Sequence, residues 1–250
     1  MSSADPVLTQ KIKERLDAIE AEVERAAEKS GRSSKDVLIL AVSKRQPLGI
    51  IQTAYAAGLR HFGENYVEEA AEKINQLREL RDIRWEMVGH VQSRKSGAVA
   101  ADFTRVHSLD SLKLANRLNT ARETRQNEPA LEVLLQLNVS GEASKEGFPA
   151  WEEEQWEAML PTVSAIQSQT HLRLTGLMAM PPLFDDPQQS RPFLRKLRLA
   201  REFFNQQIPH LNLTELSMGT SSDFAVAVEE GATIIRLGQA LLGPRNYSIG

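Results

Sequence analysis

The stretch DVLILAVSKRQP, residues 36–47, opens with an almost unbroken apolar run, Val37–Val42, and then turns polar at Ser43, Lys44 and Arg45. A continuous apolar run of this length is typical of a strand that is covered on both faces. Two interpretations of the lysine stay open. Lys44 is either a solvated strand end before a helix that starts at Pro47, or an amine held at the mouth of a barrel for chemistry or for capture of a cofactor.

Downstream of this strand, strand-like runs alternate with helix-like segments. The predicted strands are Val37–Val42, Arg60–Phe62, Ile83–Val88, Thr104–Ser108, Leu131–Asn138, Leu172–Ala179, Thr214–Met218 and Thr233–Leu237. The predicted helices between them are Leu48–Ala57, Tyr66–Leu80, Asp110–Thr124, Trp151–Gln167, Arg191–Gln207 and Ser222–Glu229. Such alternation implies parallel strands. About eight units in 250 residues predict an α/β fold, a single (β/α)8 TIM barrel. An open doubly wound sheet is the alternative, but no G-x-G-x-x-G follows an early strand.

One further helix is predicted before the barrel, over about residues 7–30. Apolar residues recur at helical spacing from Val7 to Ala26, and Gly31 ends the segment. The single apolar stripe indicates that this helix packs on a larger body. No linker composition interrupts the chain, so we expect one domain over residues 1–250.

Composition excludes several classes of protein. The chain has no cysteine, which rules out disulfides, thiol catalysis and thiolate metal sites. A net charge of −3 gives no general attraction to nucleic acid or anionic membrane. No apolar run approaches the roughly 18 residues of a membrane span. The N-terminus is charged where a signal peptide needs an apolar core. These features predict a cytoplasmic protein with no membrane or nucleic-acid partner.

Two loops near the end of the chain have the composition of a phosphate site. Barrels often bind phosphate with the loops that follow strands seven and eight. Here those loops are SMGTSSD (residues 217–223) and RLGQALLG (residues 236–243). Glycines let the backbone approach an anion, and hydroxyl and N–H groups donate to it. The alternative is a pair of ordinary turns with a Ser or Asp cap.

A phosphate cradle that faces Lys44 is compatible with two kinds of site. One forms a Schiff base with a phosphorylated carbonyl substrate, and the other holds pyridoxal phosphate (PLP), whose aldehyde condenses with a lysine amine. No metal site is predicted, because the five histidines show neither H-x-H nor H-E-x-x-H spacing. His61 and His107 fall within strands, where core hydrogen bonding accounts for them. The basic run GHVQSRKS (residues 89–96) lacks aromatic residues and fits a helix start better than a nucleic-acid patch.

Seven motifs in order resemble one known family. They are AVSKRQP, AAGLRHFGENYVEEA, RWEMVGHVQSRK, VLLQLNVSGEASKEGF, LTGLMAM, LSMGTSSDFAVAVEEGAT and IIRLGQALLGPRNY, and together they span most of the chain from about residue 10. On these motifs the sequence resembles the YggS/PROSC family, the pyridoxal phosphate homeostasis proteins.

The resemblance implies a fold like the N-terminal domain of alanine racemase and a covalent aldimine between PLP and Lys44. It assigns no catalytic residue. It implies that Arg236 faces the pyridine nitrogen and that Asn65 and Met178 line the pocket. The implied phosphate ligands are Ser217, Ser221, Gly238 and Gln239. Two positions depart from the usual pattern of the family: Gln239 replaces a threonine, and Thr220 replaces a methionine.

The residue implied at the pyridine nitrogen favours binding over catalysis. An arginine cannot accept a proton, so the ring would be a poor electron sink. Alanine racemase, which the fold resembles, tolerates such an arrangement but also uses a second domain and a tyrosine base from the partner subunit. Tyr55 and Tyr66 fall in helical segments and Tyr247 in the tail, so none is an evident base opposite Lys44. We therefore expect a PLP homeostasis protein without robust catalysis, a monomer, with PLP-dependent apoenzymes as candidate recipients. A PLP-dependent amino-acid racemase or lyase is the alternative, and a Schiff-base aldolase acting on a sugar phosphate comes third.

Overall fold

The computed structural model describes residues 5–125 and 128–244, and in it parallel strands close into a barrel. The strands are β1 (Leu38–Val42), β2 (His61–Glu64), β3 (Arg84–Met87), β4 (Arg105–Leu109), β5 (Leu131–Asn138), β6 (Phe148–Pro149), β7 (Leu172–Met178), β8 (Glu215–Ser217) and β9 (Ile234–Leu237). Eight of them follow one another around the barrel, and β1 pairs with both β2 and β9. The two-residue β6 only adds to the end of β5. The predicted (β/α)8 barrel is therefore confirmed.

Helices surround this barrel. In the described part of the chain they are α1 (Pro6–Lys29), α2 (Leu48–Ala56), α3 (Val67–Gln76), α4 (Ser96–Asp102), α5 (Leu112–Glu123), α6 (Glu153–Gln167), α7 (Arg191–Gln207), α8 (Phe224–Glu229) and α9 (Gln239–Leu242). The extra N-terminal helix is confirmed: the Asp5 side chain caps α1, which buries its apolar stripe against the barrel helices. The sequence did not predict α4 or α9. None of the described helices is long and apolar enough to cross a membrane.

Strand β1 shows how the apolar run is used. Leu40 packs inside the barrel with Val88, Leu134, Met178 and Ile234. Its neighbour Ala41 belongs to the larger apolar layer between strands and helices. Since successive strand side chains point to opposite faces, a strand that is covered on both faces needs an unbroken apolar sequence. The polar residues that follow leave the barrel at its C-terminal end.

Candidate cofactor-binding site

A cavity of about 340 Å³ opens at the C-terminal ends of the strands. Six of the eight residues that the sequence predicted for the site line it: Lys44, Asn65, Ser221, Arg236, Gly238 and Gln239. The other lining residues are Val42, Val88, Met180, Leu183, Thr220 and Ser222. The cavity therefore brings the lysine after β1 together with the loops after β8 and β9.

One wall of the cavity consists of hydroxyl and backbone groups. Thr220, Ser221 and Ser222 precede α8, and Gly238 directly precedes α9. The first N–H groups of a helix have no intrahelical partner and are free to donate to an anion. Asp223 fixes the first loop, because its Oδ1 accepts from the Thr220 N–H at 2.7 Å and from the Thr220 hydroxyl at 3.0 Å. The donor set suits a phosphate.

Arg236 is a buried cation in the cavity wall. It donates from Nη1 to the Ser217 hydroxyl at 2.7 Å and from Nη2 to the Ala179 carbonyl at 2.9 Å. Burial lowers the pKa of Arg236 to about 10, which still leaves it protonated at neutral pH. A guanidinium held in this way donates hydrogen bonds and does not accept them.

Two predicted site residues lie below the cavity instead of lining it. Ser217 is fully buried, and its hydroxyl is engaged by Arg236 and by His107 Nδ1, the latter at 2.8 Å. The predicted contact of Ser217 with phosphate therefore does not fit the geometry. Met178 is likewise buried, in the apolar interior cluster. Both residues end a strand, but their side chains point down into the barrel.

Beneath Ser217 a polar chain continues through the barrel interior. His107 Nε2 lies 2.7 Å from Glu86 Oε2, and His61 Nδ1 lies 2.5 Å from Glu86 Oε1. Burial alone would raise the pKa of Glu86, but hydrogen bonds from His107 and His61 together with the charge of Arg105 hold it well below its usual range. Burial lowers the pKa of His107. A neutral His107 that donates to Glu86 and accepts from Ser217 satisfies both contacts.

The cavity wall holds a buried polar atom that could contact a bound molecule. Asn65 lines the cavity, and its buried Oδ1 has no hydrogen-bond partner among the described residues. A buried carbonyl oxygen of this kind calls for a donor from a bound molecule or water. The cavity also supplies an amine, a buried cation and a set of anion donors. These groups fit a phosphorylated aldehyde such as PLP.

Two other features outside this cavity were not visible in the sequence. A cavity of about 520 Å³ lies between α6 and α7 and is lined in part by Trp151 and Trp156. At the C-terminal face, His90 Nδ1 lies 3.0 Å from both Asp110 Oδ2 and Glu146 Oε2. These three residues follow three different strands, so no sequence spacing could have revealed that they meet.

The fold and the cavity define a class of protein: a barrel of the alanine racemase N-terminal type with a lysine and two loops of hydroxyl and glycine residues at its mouth. The sequence model of that domain family matches residues 15–246. Alanine racemase from Streptomyces coelicolor shares the fold, with a TM-score of 0.66 at 17% identity over 90% of this chain and 58% of that protein.

Comparison with whole proteins gives a narrower family. A pyridoxal phosphate homeostasis protein of Pseudomonas aeruginosa is 40% identical over 237 residues, covering 94% of this chain and 96% of the relative. The structure of PipY from Synechococcus elongatus with PLP bound has a TM-score of 0.79 and 36% identity, covering 93% of this chain and 100% of that chain. The chain belongs to the pyridoxal phosphate homeostasis protein family.

Proposed function

We propose that this protein holds PLP through a Schiff base with Lys44 and supplies the cofactor within the cell. The observation that carries the proposal is one cavity that contains the Lys44 amine, a buried arginine and the hydroxyl and backbone donors of residues 220–222 and 238–239. When bound, PLP supplies an aldehyde that condenses with an amine. Lys44 would attach it, and Ser221, Gly238 and Gln239 would hold its phosphate. The orphaned Asn65 Oδ1 would accept a hydrogen bond within the same cavity.

Arg236 supports a binding role over catalysis. A protonated guanidinium beside the pyridine nitrogen cannot give that atom a proton readily and cannot take one from it. The ring then withdraws electrons less strongly, which disfavours the carbanion chemistry of a racemase or lyase. Tyr55 lies in α2 and Tyr66 directly precedes α3, while Tyr247 lies outside the described residues. We therefore propose a carrier without robust turnover, monomeric and cytoplasmic, with PLP-dependent apoenzymes as recipients.

The test is the visible absorbance spectrum of the purified protein before and after addition of an apoenzyme acceptor. A Schiff-base band that falls as the acceptor gains activity supports a carrier. Amino-acid racemisation and elimination assays on the same sample address the alternative. Rapid turnover with no loss of the band to the acceptor would favour a racemase or lyase instead.

Ser221→Ala is expected to weaken PLP binding and to leave binding of unphosphorylated pyridoxal unchanged. The substitution removes one donor to the phosphate, and a hydrogen bond to a charged group contributes about 1.5–3 kcal/mol. Equilibrium dialysis of both ligands measures the difference. Ser164→Ala in α6, away from the cavity, is the control. Equal losses for the two ligands would show that Ser221 does not serve the phosphate.

Arg236→Ala is expected to keep the covalent linkage but to shift its absorbance band and weaken affinity. The change removes the positive charge beside the ring. It also removes the hydrogen bond that the Ser217 hydroxyl accepts from Arg236, whereas the contact of Ser217 with His107 remains. Loss of a charged hydrogen bond predicts roughly a tenfold to hundredfold weaker affinity. Arg236→Lys, which keeps the charge, should move the band less. A band and affinity like those of the parent protein would contradict a position of Arg236 beside the ring.

A further inference from the structure

The segment on both sides of Lys44 is held by three side chains from the neighbouring β2–α3 unit, two through its backbone and one through the Ser43 hydroxyl. The Ser43 carbonyl accepts from Lys73 Nζ at 2.7 Å, and the Ser43 hydroxyl donates to Glu64 Oε1 at 2.6 Å. On the other side, the Arg45 N–H donates to Glu69 Oε1 at 2.5 Å. Two peptide groups that flank the lysine are therefore fixed from outside β1.

These three side chains form one unit, which we call the Lys73 clamp: Glu64, Glu69 and Lys73. Lys73 Nζ lies 2.8 Å from Glu64 Oε1 and 2.6 Å from Glu69 Oε1. With the Ser43 carbonyl these contacts use all three donors of the ammonium group. Because each acceptor comes from a different segment, Lys73 ties β2, α3 and the end of β1 to one point.

The held segment is strained. Arg45 has a φ of 57°, in the left-handed region that non-glycine residues rarely adopt. Such a conformation persists only where the surroundings over-determine it. The Glu69 contact to the Arg45 N–H supplies part of that restraint, and the strained turn directs the chain away immediately after Lys44.

Stability alone is a poor explanation for the clamp. Glu64 is fully buried, and within residues 5–125 and 128–244 its Oε2 has no hydrogen-bond partner. Burial raises the pKa of Glu64 above its ordinary value, although the charge of Lys73 acts to lower it. A buried ion pair is often no more stabilising than apolar residues of the same size. A network that leaves a carboxylate oxygen unsatisfied is better explained by the position it imposes on its neighbours.

We propose that Glu64, Glu69 and Lys73 are positioning residues for Lys44. They fix the peptide groups on either side of Lys44, so that its amine stays at the wall of the cavity. The inference rests on the proposed role of Lys44 as the attachment residue. The clamp residues do not line the cavity, so they act on the lysine and not on the cofactor.

Two variants and one matched control test this role. Glu69→Gln removes the charge that holds the Arg45 N–H and Lys73. Glu64→Gln/Lys73→Met removes both buried charges together, which avoids leaving one of them unpaired. Glu68→Gln is the control, because Glu68 lies in the same turn of α3 but pairs with Lys95 at the surface. Thermal unfolding of each variant verifies that it is folded.

Two readouts separate positioning from general damage. We expect Schiff-base formation with PLP to slow by roughly ten- to hundredfold in the clamp variants, the scale of a misplaced reacting group. In the cofactor-free protein, acetylation of Lys44 by acetic anhydride, read by peptide mass spectrometry, should become severalfold faster as the half-buried amine is released. Acetylation of the half-buried Lys196 should not change.

The outcomes are distinct. Slower imine formation with faster acetylation of Lys44, and neither in Glu68→Gln, supports the clamp. Parental rates at Lys44 in folded clamp variants would overturn it. The acetylation comparison needs no cofactor, so it still decides about the clamp if the parent protein forms no Schiff base at Lys44. The absence of a Schiff base at Lys44 in the parent protein would contradict the proposed function but not the clamp.

Discussion

Lys44→Ala is expected to fold normally and to lose the absorbance band of the PLP Schiff base. The lysine follows β1 at the cavity wall, and its side chain is only half-buried, so its removal leaves the barrel core intact. Arg45 cannot replace it, because a guanidinium stays protonated and forms no stable imine. Reduction with borohydride followed by peptide mass spectrometry should find a pyridoxyl group on Lys44 of the parent protein and none at position 44 of the variant.

Some PLP should remain bound to Lys44→Ala without a covalent bond. The proposed phosphate donors, residues 220–222 and 238–239, do not depend on the lysine. Lys145→Ala is a matched control, because Lys145 also lies at the C-terminal face, where its Nζ contacts the Pro181 carbonyl near the cavity. A pyridoxyl group mainly on any other lysine of the parent protein would refute the assignment of Lys44.

The meeting of Lys44 with the loops after β8 and β9 could be predicted because a parallel barrel simplifies the problem. Once eight strands are recognised, all their C-terminal ends lie at one face, and neighbours around the barrel follow from chain order. β1 pairs with β9, so Lys44 and Gly238 must lie close together. The prediction therefore needed only the positions of strand ends, which a continuous apolar run shows well.

The depth of a side chain at a strand end could not be predicted in the same way. Ser217 and Met178 are the last residues of β8 and β7, yet both side chains lie in the interior layer below the cavity. A shift of one residue along a strand moves a side chain to the other face. The sequence sets the end of a strand to within a residue or two, which is too coarse to separate these layers.

Contacts between distant segments were also outside the reach of the sequence. Glu64 and Glu69 were visible within the motif GENYVEEA, but their contacts to Ser43 and Arg45 depend on how α3 lies against the end of β1. Helix α4 was missed because it has only seven residues and contains Gly97, a poor helix former. Its position is set by the strands on either side of it and not by its own propensity.

Gly219→Ala is expected to weaken PLP binding and to destabilise the fold. Gly219 has a φ of +91°, and an added Cβ would lie 2.6 Å from the Ala227 Cβ and 3.0 Å from the Phe224 Cα of helix α8. Its carbonyl also accepts the Arg236 N–H at 3.0 Å. Either α8 or the loop of residues 217–223 must shift, which moves the anion donors and Arg236 together.

Gly231→Ala separates this effect from backbone strain. Gly231 lies just beyond the other end of α8 with a φ of +100°, but its added Cβ would meet the flexible Arg198 Cδ at 3.3 Å and the Leu216 Cδ1 at an ordinary 3.9 Å. Both variants should lose about 1–2 kcal/mol from the left-handed backbone, and Gly219→Ala about 1–3 kcal/mol more from overpacking. Urea unfolding measures these losses.

Only Gly219→Ala should also weaken PLP binding in equilibrium dialysis, by roughly tenfold or more if one charged hydrogen bond is lost. Equal PLP affinities in the two folded variants would mean that the loop after β8 does not hold the phosphate.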